Sequence, residues 1–452
     1  MSCEYHRVWR LGLGQARRST RRIYSLYRKA IPVRAVRRLI LPVVMAGALI
    51  TAACSSSTTG TSSTATGSGT SSGQSSATGS PVKVAFLGTI SGPTGSNGAT
   101  VAQVVQAWGR YINDHGGLAG HPVEIEVHDT AGATGASIPI AKAVVAEKVA
   151  AIFDLDATDY QWVKMAEAAG IPVISNSTAS QQLSKDVFPT AASNAVQQYL
   201  FSAAAKTLGT KTAIGYAAET PVAAQYAASI KSIATQQGVS VVVSAKLSSS
   251  QPDYTAFCQL LKSSGAQSSL LALSTATVQK VADQCWQQGA HIPQVQSGFQ
   301  FLNSWLKDPA FNGAIMVDQS APFFDSSIPG IAAYRAAMKT YLPSLLGSTN
   351  DSSAGVAGWA YGEMLAYGVS HGGGVTSADI IKGLHTAKDE TLDSLIAPMT
   401  FTAGDFAKGY CEFFWAVKNG GYALTSSGTK PVCAPKSVID PMEAAVAKSF
   451  GS

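Results

Sequence analysis

The sequence lacks the short motifs that mark two common classes of nucleotide-binding and metal-dependent protein. It contains no GxxxxGKS/T phosphate-binding loop and no HExxH zinc motif. The glycines of GPTGSNG follow a GxxGxxG rather than a GxGxxG pattern, and turns account for them better than a dinucleotide site does. The seven histidines are scattered, and no CxxC spacing is present. These absences argue against an enzyme, a cofactor and a metal site, so we expect none of the three.

Excess positive charge is concentrated at the start of the chain. The formal net charge is +6, but residues 1–53 hold eleven Arg or Lys residues and one Glu, a net charge of +10. The rest of the chain therefore carries a net charge of −4. This balance argues against a nucleic-acid partner, so we interpret the basic excess as a targeting signal.

A hydrophobic run of only 15 residues, Leu39–Ala53, follows the basic stretch. It is too short for a comfortable membrane span, which needs about 20 residues. Small residues and then Cys54 end the run, a layout typical of an exported lipoprotein precursor with residues 1–53 as signal peptide. Cys54 is the predicted lipidation site. A transmembrane anchor with an incidental cysteine is the alternative, and a start codon downstream of Met1 stays open.

Residues 54–80 are almost purely Ser, Thr, Gly and Ala. Such a segment cannot bury enough apolar surface to fold, so we interpret it as a tether. Sequence typical of a folded protein begins near Pro81. The remaining length of about 370 residues is enough for two domains.

Four cysteines remain for the folded part, Cys258, Cys285, Cys411 and Cys433. An even number in an exported protein favours disulfides. Four cysteines allow three connectivities, and we choose the local pairs Cys258–Cys285 and Cys411–Cys433. Each pair would close a loop of about 20 to 30 residues, worth roughly 3 kcal/mol in the chain-entropy model. Buried free thiols are the alternative.

Short segments rich in β-formers alternate with alanine-rich helical segments along most of the folded part. The first set of predicted strands is VKVAFLG, PVEIEVH, VAAIF and PVISN, and the second set is TAIGYAA, VSVVVSA, SSLLALS and residues 314–317. Helical segments separate the strands within each set. This alternation predicts βαβ units and parallel sheets.

Two polar stretches, VFPTAASNAVQQ and DQSAPFFDSS, suit crossings between two lobes. Helical segments follow the second stretch, and MTFTAGDF and CEFFWAVKNGGY then read as a terminal pair of strands. We predict an α/β fold of two Rossmann-like lobes with parallel central sheets, joined by a multi-segment hinge. The predicted boundaries are 81–192 and 319–397 for lobe I, and 193–318 and 398–452 for lobe II.

The first hundred residues of this folded part resemble one family. The matching pieces are Ser91-Gly92-Pro93, Gly98, Ile112-Asn113, Gly116-Gly117, Gly120 and Asp129, together with the later segment AAGIPVISNSTAS. They resemble the type I periplasmic binding proteins, and more narrowly the leucine/isoleucine/valine-binding branch of ABC-transporter solute receptors. The resemblance extends over nearly all of residues 81–440. It implies the type I periplasmic binding protein fold, with a ligand held in the cleft between the lobes.

The resemblance also implies ligand contacts in the loops that follow successive strands. Relatives use a serine hydroxyl after the third strand for a ligand carboxylate, and Thr158 is the nearest equivalent here. Ala179 occupies a position where relatives have threonine, and Gln300 occupies that of an acidic partner for a ligand ammonium. The complete set of candidates is Asn97, Asp156, Thr158, Ser177, Thr178, Ala179, Glu219, Thr275 and Gln300. Solvated loops or helix caps are the alternative for each.

Loss of the threonine and of the acidic partner weakens the assignment to amino acids, because a zwitterion needs charged or multiply bonded partners to leave water. A neutral or mono-anionic apolar solute is therefore an equal candidate. We expect a lipid-anchored extracytoplasmic receptor that captures a small solute and presents it to ABC permease subunits. The alternatives are a ligand sensor for a membrane signalling partner and, disfavoured by its missing fingerprint, an NAD-type enzyme.

Overall fold

The computed structural model describes residues 77–92, 95–176, 184–218 and 223–450. Residues 71–452 form one compact unit. The predicted signal peptide, Cys54 and nearly all of the tether lie outside the described residues. Among the residues that are described, no helix is both long and apolar enough to cross a membrane.

The first sheet has five parallel strands in the order β2-β1-β3-β4-β5. Its strands are β1 (Val82–Gly88), β2 (Val123–Asp129), β3 (Ala151–Leu155), β4 (Val173–Ser175) and β5 (Val187–Pro189). The helices that accompany this sheet are α1 (Ser96–Asp114), α2 (Thr134–Ala146), α3 (Val163–Ala168), α8 (Pro329–Tyr341), α9 (Ser353–Gly372) and α10 (Ser377–Leu384). Helix α9 packs against both α1 and α10, so segments distant in sequence complete one lobe.

The second sheet runs in the order β14-β13-β10-β9-β8-β6-β7. Its strands are β6 (Lys211–Ala217), β7 (Ser240–Leu247), β8 (Ser268–Ala272), β9 (Gln294–Ser297), β10 (Ile315–Asp318), β13 (Cys411–Lys418) and β14 (Gly421–Leu424), and β15 (Val432–Cys433) pairs with β13. Its helices are α4 (Asn194–Leu208), α5 (Ala223–Gln236), α6 (Thr255–Ser264), α7 (Thr275–Gln287) and α11 (Lys436–Phe450). The strands from β7 to β10 are parallel, whereas β13 and β14 are antiparallel to their neighbours. The predicted two-lobe α/β fold is thus confirmed.

Within the described residues the chain passes between the two sheets three times, at 190–193, 319–328 and 385–410. The last two passages contact each other, because Ser320 forms an antiparallel bridge with Ile396. The amide of Ala321 also donates to the carbonyl of Leu395 at 3.0 Å. The third passage contains a separate two-stranded sheet of β11 (Met399–Thr400) and β12 (Lys408–Gly409). Several linked segments therefore join the lobes, as a hinge requires.

The end of α1 illustrates how local sequence fixes the first lobe. Gly116 and Gly117 follow the helix with φ values of 96° and 72°, a region that side chains with a Cβ rarely enter. The amide of Gly117 donates to the carbonyl of Ile112 at 2.8 Å and closes the last turn. These two glycines therefore end the helix.

The structure differs from the predicted elements in two regions. The stretch VFPTAASNAVQQ contains the passage at 190–193, but its two ends are regular elements, strand β5 and the start of α4, and α4 packs against the second sheet. The segment MTFTAGDF does not pair with the last strand. Only Met399–Thr400 is extended, and it pairs with Lys408–Gly409. The terminal hairpin is instead formed by β13 and β14, which turn at Asn419 and Gly420.

Both local disulfides are present in the structure. Cys258 of α6 is bonded to Cys285 of α7, and Cys411 of β13 is bonded to Cys433 of β15. The first bond is buried, with Cys258 fully inaccessible, whereas Cys433 lies exposed. The first therefore joins two helices within the core, and the second fastens the edge of the second sheet.

Candidate functional site

A cleft of about 660 Å³ lies between the edges of the two sheets. Its first-lobe wall comes from the loops after β1, β3 and β4, with Thr89, Asp156 and Asn176 as examples. Its second-lobe wall comes from the ends of β8 and β9 and from one face of α4. Open α/β sheets bind ligands in the crevice outside the carboxyl ends of their strands, so this cleft is the candidate binding site.

Three helices begin at the cleft. The lining includes Asn97 at the start of α1, Asn194 at the start of α4 and Thr275 at the start of α7. The amino end of a helix carries a partial positive charge of roughly half a unit and favours anionic or hydrogen-bond-accepting groups. These helix ends therefore give the cleft a positive bias to which no basic side chain of its described lining contributes.

Gly98 allows α1 to approach the loop after β1. A Cβ placed there would lie 1.9 Å from the carbonyl oxygen of Thr89, too close for any other residue unless the backbone moves. Gly98 and Thr89 both line the cleft. The glycine at this position of the family-like segment therefore sets how deeply the helix terminus reaches into the site.

Asp129 shapes the loop that leads into α1. Its Oδ1 accepts hydrogen bonds from the amides of Ile90 at 3.1 Å, Ser91 at 3.2 Å and Ala131 at 2.8 Å. The Ser91 side chain and these backbone bonds lower the pKa of Asp129 to about 2. The carboxylate is thus ionised at neutral pH and positions the loop, although it does not line the cleft itself.

Basic side chains are missing from the lining as far as it is described, which contains no Lys, Arg or His. Asp156 is the only carboxylic acid in that part of the lining, and it is 2% exposed. Its oxygens accept hydrogen bonds from Thr130 Oγ1 at 2.8 Å, Trp162 Nε1 at 2.8 Å and the amide of Thr158 at 3.1 Å. Because these donors already surround Asp156, the carboxylate has little capacity left for a ligand ammonium.

Asp154 lies behind this wall. It is fully buried and accepts hydrogen bonds from Ser175 Oγ at 2.8 Å and the amide of Asp156 at 2.9 Å. Burial raises the pKa of Asp154 well above its usual range, and the nearby charge of Asp159 adds to the rise. Asp154 and Asp156 therefore act as supports of the strand ends rather than as a solvent-facing pair for acid–base chemistry.

Two hydrogen bonds organise the rim on the side of the second lobe. Asn97 Nδ2 donates to the carbonyl of Phe299 at 2.8 Å, which links α1 of the first lobe to the loop after β9. Gln300 Nε2 donates to the carbonyl of Leu273 at 3.2 Å, within the second lobe. Asn97 is therefore an inter-lobe contact at the mouth of the cleft.

The structure places four of the nine predicted ligand-binding residues in the cleft. Asn97, Asp156, Thr275 and Gln300 line the cleft. Thr158 does not line it, and its hydroxyl is instead 2.8 Å from Ser137 Oγ and 3.0 Å from Asp156 Oδ2. The remaining candidates, Ser177, Thr178, Ala179 and Glu219, lie outside the described residues.

Sequence reasoning missed several polar lining residues, namely Asn176, Asn194, Gln197, Tyr226, Gln296 and Gln319. Asn194, Gln197 and Phe201 all line the cleft and are spaced three and four residues apart on α4. This helical spacing is visible in the sequence, but the crossing predicted for the same stretch gives no sign that α4 begins at its end. The positions of Gln296 and Gln319 depend on the lobe-to-lobe geometry, for which the sequence gives no local signal.

One enzyme-like motif has a different structural explanation. Residues Gly368–Gly372 spell GVSHG, which fits the letters GxSxG of a nucleophile elbow. They form the last turn of α9 rather than a strand-to-helix turn, and the Ser370 hydroxyl donates to the carbonyl of Tyr367 at 2.9 Å. Within the described part of the chain, no group of three or more His, Cys, Asp or Glu side chains could hold a metal ion.

A family model described as periplasmic binding protein matches residues 81–421. Because this match spans most of the sequence, the chain belongs to the periplasmic binding protein family. Its two-lobe architecture is the type I form of that fold. No curated protein sequence matches the chain.

Solved structures share the fold at low identity. A branched-chain amino acid ABC transporter protein from Thermus thermophilus with bound valine is 15% identical, with a TM-score of 0.67 over 80% of this chain and 98% of that chain. A solute-binding protein of an ABC transporter from R. palustris in complex with benzoate is 17% identical, with a TM-score of 0.64 over 78% of this chain and 98% of that one. A fatty acid ABC transporter substrate-binding protein from Thermomonospora curvata is 18% identical, with a TM-score of 0.64 over 81% of this chain and 94% of its own. These likenesses establish the fold.

Proposed function

We propose that this protein is an extracytoplasmic solute receptor of an ABC importer, and that its ligand is a small apolar molecule with an uncharged or singly negative headgroup. The observation that carries the ligand class is the charge of the cleft. Its described lining holds no basic side chain and a single carboxylate, which is already surrounded by donors. The ammonium group of an amino acid would find no free acidic partner in this described lining. Burying a charged group without a partner is costly in free energy.

The distribution of apolar side chains supports an apolar ligand body. Leu270, Leu271, Leu273, Phe201 and Phe299 all line the second-lobe wall. Each fully buried apolar group contributes roughly 25 cal/mol per Å² of surface removed from water. The three helix amino ends can meanwhile stabilise an acceptor oxygen of the headgroup. Relatives with the same fold include a protein in complex with benzoate, which has one negative headgroup on an apolar ring.

Lobe closure about the three connecting segments would bury such a ligand, a hinge motion typical of binding proteins. We place lobe I at 81–192 and 319–397, and lobe II at 193–318 and 398–452. This division is supported by the membership of the strands in the two sheets. In the same proposal, a lipid on Cys54 anchors the receptor to the outer face of the cell membrane. ABC permease subunits are the partners of the receptor.

Calorimetry with three matched compounds tests the ligand class. Leucine is compared with 4-methylpentanoate, which lacks only the amino group, and with 4-methylpentanamide, which has no charge. We expect at least one of the two deaminated compounds to bind tenfold or more tightly than leucine. Micromolar binding of leucine that exceeds both would overturn the proposed ligand class and support an ordinary amino-acid receptor.

A pair of variants on α7 tests whether binding occurs in this cleft. Ala276 is exposed and lines the cleft, whereas Lys280 is exposed one turn further along the same helix and does not line it. Ala276→Trp should weaken binding of the best compound at least tenfold, because the indole would occupy the cleft. Lys280→Trp is the matched control and should leave the affinity unchanged. Equal effects of the two substitutions would place the binding site elsewhere.

A further inference from the structure

A buried carboxylic acid lies one layer behind the second-lobe wall. Glu412 is the second residue of β13 and has no exposed surface. Neither of its carboxyl oxygens has a hydrogen-bond partner of normal geometry among the described residues. An acid in such a place is costly to ionise, and an unpaired one needs a reason to be kept.

The side chains around Glu412 connect it to the cleft. Helix α4, which carries Gln197, packs against β13, which carries Glu412. Gln197 and Tyr226 of α5 both line the cleft, and each is close enough to Glu412 for their electrostatic interactions to affect pKa values. Burial raises the pKa of Glu412 well above its usual range, the nearby Asp318 raises it further, and the Gln197 side chain lowers it. Burial and the Glu412 charge likewise raise the pKa of Tyr226. Gln197 and Tyr226 therefore connect the buried acid to the cleft.

A carboxamide beside an acid can adopt two hydrogen-bonded orientations. A protonated Glu412 donates its O–H to Gln197 Oε1, which leaves Gln197 Nε2 as a donor facing the cleft. An ionised Glu412 accepts from Nε2 and leaves Oε1 facing the cleft. The two orientations offer opposite hydrogen-bonding groups to the same ligand atom.

We propose that Glu412 is a positioning residue whose proton sets which end of the Gln197 carboxamide faces the cleft, and so decides whether the site prefers an anionic or a neutral headgroup. The proposal rests on the function proposed above and extends it to headgroup specificity. With Glu412 protonated, Gln197 donates to a carboxylate ligand. When Glu412 loses its proton to solvent, the carboxamide turns, and the new negative charge opposes the same ligand across a poorly screening interior.

Other acids around the cleft also titrate, so the test needs a difference between variants. Within the described part of the chain, Asp318 on β10 and Tyr226 on α5 are ionisable groups that interact electrostatically with Glu412. Asp154 lies behind the opposite wall. Glu412→Gln removes the titration of Glu412 while keeping a polar side chain of the same size, and the other acids remain. Glu412→Leu has a similar volume but cannot form a hydrogen bond with Gln197 in either orientation of the carboxamide.

The first measurement uses the ligand-free protein. In ¹⁵N-labelled protein, the side-chain amide resonance of Gln197 is assigned by its loss in Gln197→Leu and followed from pH 5 to 10. We expect it to shift with pH in the wild-type protein and to stay constant in Glu412→Gln. A resonance that is constant in the wild-type protein, or that shifts equally in both, would overturn the proposal. This result does not depend on any ligand.

The second measurement follows the binding of benzoate and its neutral isostere benzamide over the same pH range. We expect the ratio of benzoate to benzamide affinity to fall with rising pH in the wild-type protein, approaching tenfold per pH unit above the pKa of Glu412. In both Glu412→Gln and Glu412→Leu, the ratio of benzoate to benzamide affinity should not change with pH. Equal slopes in wild type and Glu412→Gln would overturn the role of Glu412. If neither compound binds, the proposed ligand class fails, and the amide resonance still decides the role of Glu412.

Discussion

Removal of the Cys258–Cys285 disulfide should destabilise the protein more than removal of Cys411–Cys433, although both close loops of similar length. The sequence separations are 27 and 22 residues. In the chain-entropy model these loops correspond to about 3.5 and about 3.4 kcal/mol of lost stabilisation, which is the same within the accuracy of the model. Loop entropy alone therefore predicts equal effects for the two double alanine variants.

The two disulfides differ in how deeply their sulfur atoms are buried. Cys258 is inaccessible and Cys285 is 4% exposed, so two alanines there leave a small cavity between α6 and α7. Each buried sulfur lost should cost about 1 kcal/mol, by analogy with the removal of a buried methylene group. Cys411 is 8% exposed and Cys433 is exposed, so the cavity cost at that site is small. We expect losses of about 5.5 kcal/mol for the first pair and about 4 kcal/mol for the second.

Urea unfolding of the two double variants, monitored by circular dichroism, measures this difference directly. The free energy of unfolding should fall more for Cys258→Ala with Cys285→Ala than for Cys411→Ala with Cys433→Ala. An equal loss, or the reverse order, would refute the reasoning from burial. Non-reducing peptide mapping of the exported wild-type protein is the control, and free thiols at these four positions would refute the pairing itself.

Three further predictions concern the contact between the lobes, a buried acid and the anchor. Asn97→Ala removes the hydrogen bond to the Phe299 carbonyl, so the lobes should separate more readily by about 1 kcal/mol; an unchanged radius of gyration in small-angle scattering would contradict this. Burial raises the pKa of Asp318 to about 6, so the wild-type protein should lose stability relative to Asp318→Asn as pH rises from about 4 to 6. The free energy of unfolding of both proteins is measured in urea across that range, and an equal change with pH in the two proteins would contradict the prediction. Cys54→Ala should release the protein from the membrane fraction, and retention there would exclude lipid as the anchor.

The alternation of strand and helix was predictable because four strands of the first sheet, β1, β3, β4 and β5, are buried on both faces along most of their length. VKVAFLG and VAAIF form β1 and the start of β3, and nearly all their residues are inaccessible. Continuous apolar runs of this kind are typical of parallel sheets covered by helices. The missed elements carry weaker patterns. Strand β9 has the sequence QVQS, and its two glutamines are buried. Polar residues of this kind do not indicate a buried strand in the sequence.

The site was harder to predict than the fold because its polar residues are fixed by contacts between distant segments. Asn97 could be inferred, since it begins a helix after a glycine-rich loop that ends at the cleft. Glu412 could not, because a glutamate in CEFFWAVK is expected on the solvent face of an edge strand. In the structure Glu412 pairs with Val432 of β15, and β13 is buried on both faces from Cys411 to Trp415, so Glu412 lies in the interior.

The polarity of the two walls differs in a way that constrains how a ligand would lie in the cleft. Among the described lining residues, the large apolar side chains are concentrated on the second lobe, while the first lobe offers Thr89, Asn97, Asp156 and Asn176. A ligand with one polar end would therefore place its apolar body against the second lobe. Its headgroup would then meet the amino end of α1 and, across the cleft, the carboxamide of Gln197. Headgroup recognition would depend on helix dipoles and carboxamides rather than on ion pairs, and under our proposal the proton of Glu412 would change the hydrogen-bonding polarity of the Gln197 carboxamide alone.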